Sequence, residues 1–358
     1  MHHFLFQTFD AIDVAKKYNI YSIITLHDLY MMCPSINMIY KDIYCKFDNS
    51  KDCLKCLKSK LGLNNDVLNS WQENACKVLK KFDKVIVPSE NTKKLFNEVY
   101  NDLDIEVVEH GIDYKKYENT RTFEPNNEFN VAFVGAMAIH KGSLILKDLI
   151  KKTSDQTIKI HLFGKAEDKD LIRNKSNYIN HGSYRRGELP ELLIKNKIDL
   201  VCIFATCPET YSYTLTETYM AKVPVLAFDI GAVGDRVKSD NTGWTIDLTK
   251  DTTKILEKIN YIKNSKKEYL EKKESFESYK FKSVEEMQDY YEKIYENITA
   301  KNENSDVYSF IDYRIQTTKV DFDQYLALYS HVVRRYEKMR SSKVWKIAKK
   351  IKRKLKNK

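Results

Sequence analysis

PETYSYTLTETYMAKVPVLAFDIGAVGDR, residues 208–236, reads as loop, helix, strand and loop. Glu209 and Glu217 stand eight positions apart, and the hydroxyl-rich run Ser212-Tyr213-Thr214 between them marks a helix start. Thr216 to Ala221 continues that helix, and Val223-Pro224-Val225-Leu226-Ala227-Phe228 is an apolar run of strand length, as in a buried strand. A helix start carries N–H groups without intrahelical partners and the positive end of the dipole, so it suits a phosphate. Glu209 just before it and Glu217 about one turn inside could reach hydroxyls on either side of that phosphate. The spacing alone equally fits a capped helix with two solvated glutamates.

Outward from this unit the same alternation repeats. Strands are expected at 130–134, 158–163, 178–181, 200–204 and 244–246, with helices at 143–152, 189–196 and 251–264. That describes a doubly wound domain over residues 119–278, whose ligand belongs at the carboxyl ends of its strands. The polar stretch 119–130, with Pro125, suits a linker into it. Residues 1–118 give strands at 21–26, 84–87 and 105–108, and a weaker one at 3–6, separated by helices at 11–17, 67–81 and 92–100. Apolar strands alternating with helices argue for a second parallel sheet covered on both faces. A segment at 279–300 carries one amphipathic helix over 281–298, residues 301–320 read as a connection, and 321–358 as a helical basic tail.

The 358 residues suffice for two domains, and 42% hydrophobic with 31% charged residues excludes a disordered chain. No apolar run approaches the ~18 residues of a spanning helix. The opening MHHFLFQTFDAIDVAKK has no basic leader or cleavage site, so no signal peptide is expected. Seven irregularly spaced cysteines point to a reducing compartment, hence to the cytoplasm. Nine of the Lys and Arg residues behind the net charge of +10 lie in 341–358, which has no acid, so the rest of the chain is near neutral. With Trp345 on an apolar stripe, that tail reads as an interfacial helix on an anionic membrane, where each cation contributes about 1 kcal/mol. A solvated basic tail is the alternative. Nucleic acid is not an expected partner, since no recognition fold accompanies the charge.

Two further groups carry chemistry. Phe133-Val134-Gly135-Ala136-Met137-Ala138-Ile139-His140-Lys141-Gly142 runs from a strand into a helix through a glycine-bracketed turn. Lys141 there, opposite the helix at Ser212, could neutralise a diphosphate, although strand–Gly–helix joints are common. Cys53-x2-Cys56 is a good metal pair that Cys33 and Cys45 could complete as a structural zinc site; four free thiols is the alternative reading.

Lys141-Gly142 followed by Glu209-x7-Glu217 resembles the C-terminal domain of GT-B glycosyltransferases of family four. Asn180-His181-Gly182-Ser183-Tyr184-Arg185-Arg186-Gly187-Glu188-Leu189, Gly231-Ala232-Val233-Gly234-Asp235-Arg236, and Thr25-Leu26-His27-Asp28 with Cys33-Pro34 are similar to segments of its bacterial members. The resemblance spans roughly residues 1–300 and implies two Rossmann-like domains. It places Glu209 against the donor sugar and Glu217 on the ribose hydroxyls. Lys141, in the turn between Gly135 and Gly142, becomes the cation on the donor diphosphate. The amides at Ser212, Tyr213 and Thr214 become its anion-binding helix start. Gly182, Ser183 and Tyr184 fall where the base is held, and His27 faces the sugar across the cleft; a strand-end histidine satisfied locally is the other reading of His27. Such enzymes transfer a sugar from a nucleotide-diphosphate donor with retention, usually without a metal or other cofactor. The expected function is therefore sugar transfer to a glycan or lipid-linked acceptor at the cytoplasmic face of the membrane.

Three departures qualify the resemblance. Ala136 stands where the family has an arginine, and Lys222 replaces a small residue. The family's first domain also opens with a strand, a Gly-rich loop and further strands before the segment matching His2-His3. On that comparison the first domain is incomplete, and the alternative function is a catalytically impaired nucleotide-sugar-binding module that needs another chain.

Overall fold

Short β-branched and aromatic runs between amphipathic helices fold here as parallel strands, because crossover helices can cover both sheet faces. The computed structural model describes residues 1–4, 8–45, 51–61, 67–122, 128–153 and 157–296. The expected strand at 3–6 and linker at 119–130 lie partly outside the described residues. The 301–320 connection and 321–358 tail lie wholly outside them, as does the end of the 279–300 segment.

The first part runs α1 (Ala11–Lys17), β1 (Ile23–Thr25), a hairpin of β2 (Ile39–Tyr40) and β3 (Ile43–Tyr44), α2 (Lys51–Leu61), α3 (Val67–Leu79), β4 (Lys84–Val87), α4 (Glu90–Val99) and β5 (Ile105–Val107). Its sheet has the order β1-β4-β5, parallel throughout. Met1 lies along β1: its ammonium donates to the Ile23 carbonyl at 2.9 Å and its carbonyl accepts from the Thr25 amide at 3.0 Å. The hairpin and α2 fill the stretch between β1 and α3, for which no strand or helix was expected. Leu57 from α2 joins Ile24, Leu26 and Leu68 in the core.

The second part runs β6 (Phe129–Val134), α5 (Ser143–Lys152), β7 (Ile158–Phe163), β8 (Tyr178–Gly182), α6 (Leu189–Lys195), β9 (Leu200–Ile203), α7 (Tyr213–Met220), β10 (Val225–Phe228), α8 (Gly231–Ser239), β11 (Gly243–Ile246), α9 (Thr252–Asn264) and α10 (Lys266–Ser278). The six strands order as β11-β10-β9-β6-β7-β8, all parallel. Phe129, Val131 and Phe133 face one apolar cluster, and Ala132 and Val134 face the other, so β6 is buried on both sides. Asp199, buried ahead of β9, accepts from Arg121 Nε at 2.8 Å, Arg121 Nη2 at 3.0 Å and the Asn130 amide at 2.8 Å. This paired, fully hydrogen-bonded charge ties the segment entering the domain to its central strands.

Residues 231–236, expected as loop, instead open α8. Gly231 has φ +62°, and a Cβ there would lie 2.6 Å from the Glu209 nitrogen, so backbone crowding fixes the glycine. Ala232, Val233 and Val237 then supply a buried helical face. The unexpected helix α10 buries only Tyr269 and Phe276 among charged residues, too few for a clear apolar stripe. After it, α11 (Val284–Glu296) returns to the first sheet. Ile294 packs with Ile86 and Val108, and the Tyr291 hydroxyl lies 3.2 Å from that of Thr25.

Candidate active site

Strands β6 and β9 are neighbours, yet the chain leaves β6 toward β7 and leaves β9 toward β10, on opposite sides. This reversal opens a crevice at their carboxyl ends. Two loops fill its walls. The one after β6 turns at Gly135 (φ +91°), makes a single 3-10 turn at Ile139–Lys141, and enters α5 through Gly142 (φ +85°). A Cβ on Gly142 would sit 2.7 Å from the Phe204 carbonyl, so a side chain there would push the two loops apart. The Thr206 amide donates to the His140 carbonyl at 2.8 Å and joins them directly. Their closest charges meet: Lys141 Nζ lies 2.8 Å from Glu209 Oε1.

The start of α7 is unusual. Ser212 has φ +88° and ψ 95°, strained for a residue with a Cβ, and its side chain makes no cap to the helix. Its hydroxyl is instead 3.0 Å from that of Thr214. Arg236 from α8 holds the turn from behind, donating to the Tyr211 carbonyl at 3.4 Å, the Ser212 carbonyl at 3.3 Å, Thr216 Oγ1 at 2.9 Å and Tyr279 Oη at 3.1 Å. The first amides of α7 have no intrahelical acceptor, and with no side-chain cap from Ser212 they are left for an external one.

The first domain closes the cleft. The Thr210 hydroxyl donates to the His27 carbonyl at 2.7 Å, and the Thr210 carbonyl accepts from Ser89 at 2.8 Å and Thr92 at 3.1 Å. The Tyr211 hydroxyl donates to the His110 carbonyl at 3.0 Å. The resulting cleft has a volume of about 470 Å³, with His27, Asp28 and His110 on one side and Lys141, Glu209 and Tyr213 on the other. The imidazoles form a chain: His2 Nδ1 is 2.8 Å from His27 Nε2, and His27 Nδ1 is 3.2 Å from His110 Nε2. The His110 ring stacks on Tyr213, with centroids 5.5 Å apart and 11° between planes. Burial, then the neighbouring His27, pushes the His110 pKa down to about 4; burial and His2 lower that of His27.

The His110 shift has a measurable consequence. An unfolded histidine titrates near 6.5, so between pH 6.5 and about 4 the unfolded chain binds the additional proton. Stability is therefore full above that window and falls as pH drops through it. Allowing for partial exposure, His110 accounts for roughly 1–2 kcal/mol of this loss. In urea melts, His110→Phe should shrink the stability difference between pH 7 and pH 4.5 by that amount. An unchanged difference would exclude His110 as the group responsible.

Of the expected residues, His27, Lys141, Glu209, Ser212, Tyr213 and Thr214 line this cleft together. Gly135 is beside it, where an added Cβ would be 3.7 Å from Thr214 Cγ2. Glu217 lies next to the cleft rather than lining it: it is 4% exposed, and its Oε1 accepts from the Gly187 amide at 2.7 Å. Burial raises its pKa, against the Gly187 bond and nearby Arg186. Tyr184 is close enough to Glu217 to feel its charge, while burial dominates the rise in its own pKa. Gly182 (φ +77°) ends β8, its amide donating to Asn180 Oδ1 at 2.9 Å, and Ser183 after it is exposed. Nothing lies within 4 Å of a Cβ built on Gly182, so space is open above it.

The cysteine expectation is not met. Among the described residues, no three His, Cys, Asp or Glu side chains gather as a metal site. Cys33 belongs to the first core cluster and the half-buried Cys45 and Cys53 pack against it, while Cys56 is buried with its Sγ 3.8 Å from the Ile39 carbonyl. Sequence reasoning missed His110, Gly187, Arg186 and Arg236. His110, just beyond β5, had the same strand-end signal as His27. The other three lie in quoted segments to which no role was given.

A family model described as "Glycosyl transferases group 1" matches residues 116–283. No curated protein matches the chain. Among solved structures, Anabaena HepE in complex with UDP is similar at a TM-score of 0.56 and 17% identity, over 80% of this chain and 76% of that one. A sucrose-phosphate synthase from Thermosynechococcus elongatus gives 0.57 at 14% identity, over 82% and 71%. TarM gives 0.51 at 18% identity, over 76% of this chain and 50% of that one. The chain thus spans about half the length of the TarM chains it matches. The fold is of the GT-B type.

Proposed function

We propose that this chain, whose residues 116–283 belong to the glycosyl transferases group 1 family, transfers a sugar from a nucleotide diphosphate to a glycan or lipid-linked acceptor, with retention of configuration, at the cytoplasmic membrane face. One observation carries the reading: the Lys141–Glu209 pair stands in the β6/β9 crevice beside the uncapped start of α7. The diphosphate would lie at the amides of Tyr213 and Thr214, with Lys141 beside it. Glu209 would then face the sugar, and Glu217 would hold the ribose with its remaining acceptor capacity. The bond from the anomeric carbon to the diphosphate oxygen breaks with its electron pair on oxygen, and an acceptor hydroxyl forms the new bond on the same face. Negative charge grows on the diphosphate, where fixed N–H groups and Lys141 stabilise it, while the sugar's positive charge grows beside Glu209. The acceptor's proton has the departing diphosphate oxygen as the nearest base on that face.

His27 and His110, with pKa values lowered by burial, are neutral at pH 7 and can contact sugar hydroxyls without repelling the cationic sugar. Membrane attachment rests on the nine Lys and Arg of 341–358. Among the described residues no helix is long and apolar enough to cross a membrane. The test is a thermal-shift screen of UDP-, GDP- and ADP-sugars followed by calorimetry. The donor that binds should lose about tenfold in affinity with Glu217→Ala, the cost of a ribose contact to a carboxylate. Undiminished binding by that variant would remove Glu217 from the site.

A further inference from the structure

We propose that Arg186 is a diphosphate-binding residue, reaching over the start of α7 to supply a positive charge that the crevice itself lacks; this rests on the donor-site reading above. A nucleotide diphosphate brings two or more negative charges to the amides of Tyr213 and Thr214. Lys141 is already paired with Glu209 at 2.8 Å, so that pair adds no net charge to the wall. Glu217 adds a carboxylate close by, and Ala136 beside Gly135 adds no charge at all. A further cation at this wall would offset the dianion's charge beyond what the amides and the Lys141–Glu209 pair supply.

Arg186 has the right place and state. Its guanidinium carbon is 4.5 Å from the centroid of the Tyr213 ring, the first residue of α7. Its charge is also felt by Glu217, which is bonded to the Gly187 amide, and by His110, which stacks on Tyr213. It is exposed, and it forms no ion pair among the described residues. The loop that carries it is fixed. Gly187 takes φ +85°, which a residue with a Cβ adopts poorly, and so turns its amide onto Glu217 at 2.7 Å. One residue earlier, the Arg185 amide donates to Glu188 Oε2 at 2.7 Å. Stacking on Tyr213 orients the planar guanidinium, and an oriented fork meets two phosphate oxygens at once.

Calorimetry on the full chain with uridine, UMP and UDP, and with the adenosine and guanosine series alongside, tests this. For whichever base binds, Arg186→Ala should weaken the diphosphate about tenfold, as loss of a charge-assisted contact does. The nucleoside should stay within about twofold, and the dependence of diphosphate affinity on salt should flatten. Arg186→Lys should recover part of the loss and Arg186→Gln should not. Equal losses for nucleoside and diphosphate would assign Arg186 to the base and overturn the inference, as would no loss. If Lys141→Ala weakens the diphosphate while Arg186→Ala does not, this inference alone falls. If no diphosphate binds the unaltered chain, the donor-site reading falls with it.

Discussion

Lys141→Ala is expected to lower the rate of sugar transfer by two to three orders of magnitude, the range seen when one fixed donor to a developing anion is removed. The ammonium sits in a turn whose geometry is set from both ends. Gly135 and Gly142 take positive φ, and the Phe204 carbonyl crowds Gly142. The variant also leaves Glu209, now 2.8 Å from its cation, as an uncompensated carboxylate where the diphosphate must approach. Its charge would repel the donor as well as fail to bind it. Lys141→Ala with Glu209→Gln should therefore regain part of the diphosphate affinity lost in the single variant, yet transfer should remain depressed. Initial rates and calorimetry on the same preparations separate the two effects. Transfer within fivefold of the original chain would show that Lys141 is not part of the charge stabilisation.

The parts of the fold legible in the sequence were those encoded by uninterrupted local patterns. The runs that became β9 and β10 are apolar on both faces and that of β6 nearly so, the pattern of a parallel sheet covered on both sides. Lys141-Gly142 and Glu209 stood out because each marks a loop leaving a strand end, and Glu217 because it follows Glu209 on the helix that the second loop enters. What stayed hidden depends on contacts far apart in the chain. His110 meets His27 across 83 positions, and a lone histidine does not announce a partner. Helix α8 begins with a glycine whose left-handed backbone (φ +62°) and crowding by Pro208 and Glu209 are both set by a segment more than twenty positions away. The cysteines were ambiguous for the opposite reason: a local Cys-x2-Cys spacing is a metal-pair spacing and equally the i, i+3 spacing of one helix face, and on α2 Cys53 is half-buried and Cys56 buried.

Arg236→Met should destabilise the second domain markedly while removing no proposed ligand contact. Methionine fills much of the same volume, so the loss isolates the guanidinium. That group donates to two carbonyls, one hydroxyl of α7 and the Tyr279 hydroxyl, and it lies 4.6 Å from the Tyr211 ring centroid and 5.6 Å from that of Tyr219. Hydrogen bonds from a charged donor at this depth, together with the ring contacts, are worth about 2–4 kcal/mol. For a domain of this size the melting temperature should fall by roughly 5–10 °C. Arg236→Lys should recover little, because a single ammonium cannot span acceptors on α7 and on Tyr279 at once. The functional consequence follows from Ser212. Its positive φ costs on the order of 1 kcal/mol or more and persists only while its surroundings enforce it. Once Arg236 no longer holds the Tyr211 and Ser212 carbonyls, the turn can relax to negative φ and rotate the first α7 amides away from the crevice. Diphosphate binding measured well below the melting temperature should then weaken by tenfold or more, while Glu217 and Gly187, on the next turn and loop, keep their bond. A variant that melts early but binds normally would show that Arg236 supports the fold without shaping the anion site. One that melts within about 2 °C of the original chain would show that its hydrogen bonds only replace equivalent bonds to water.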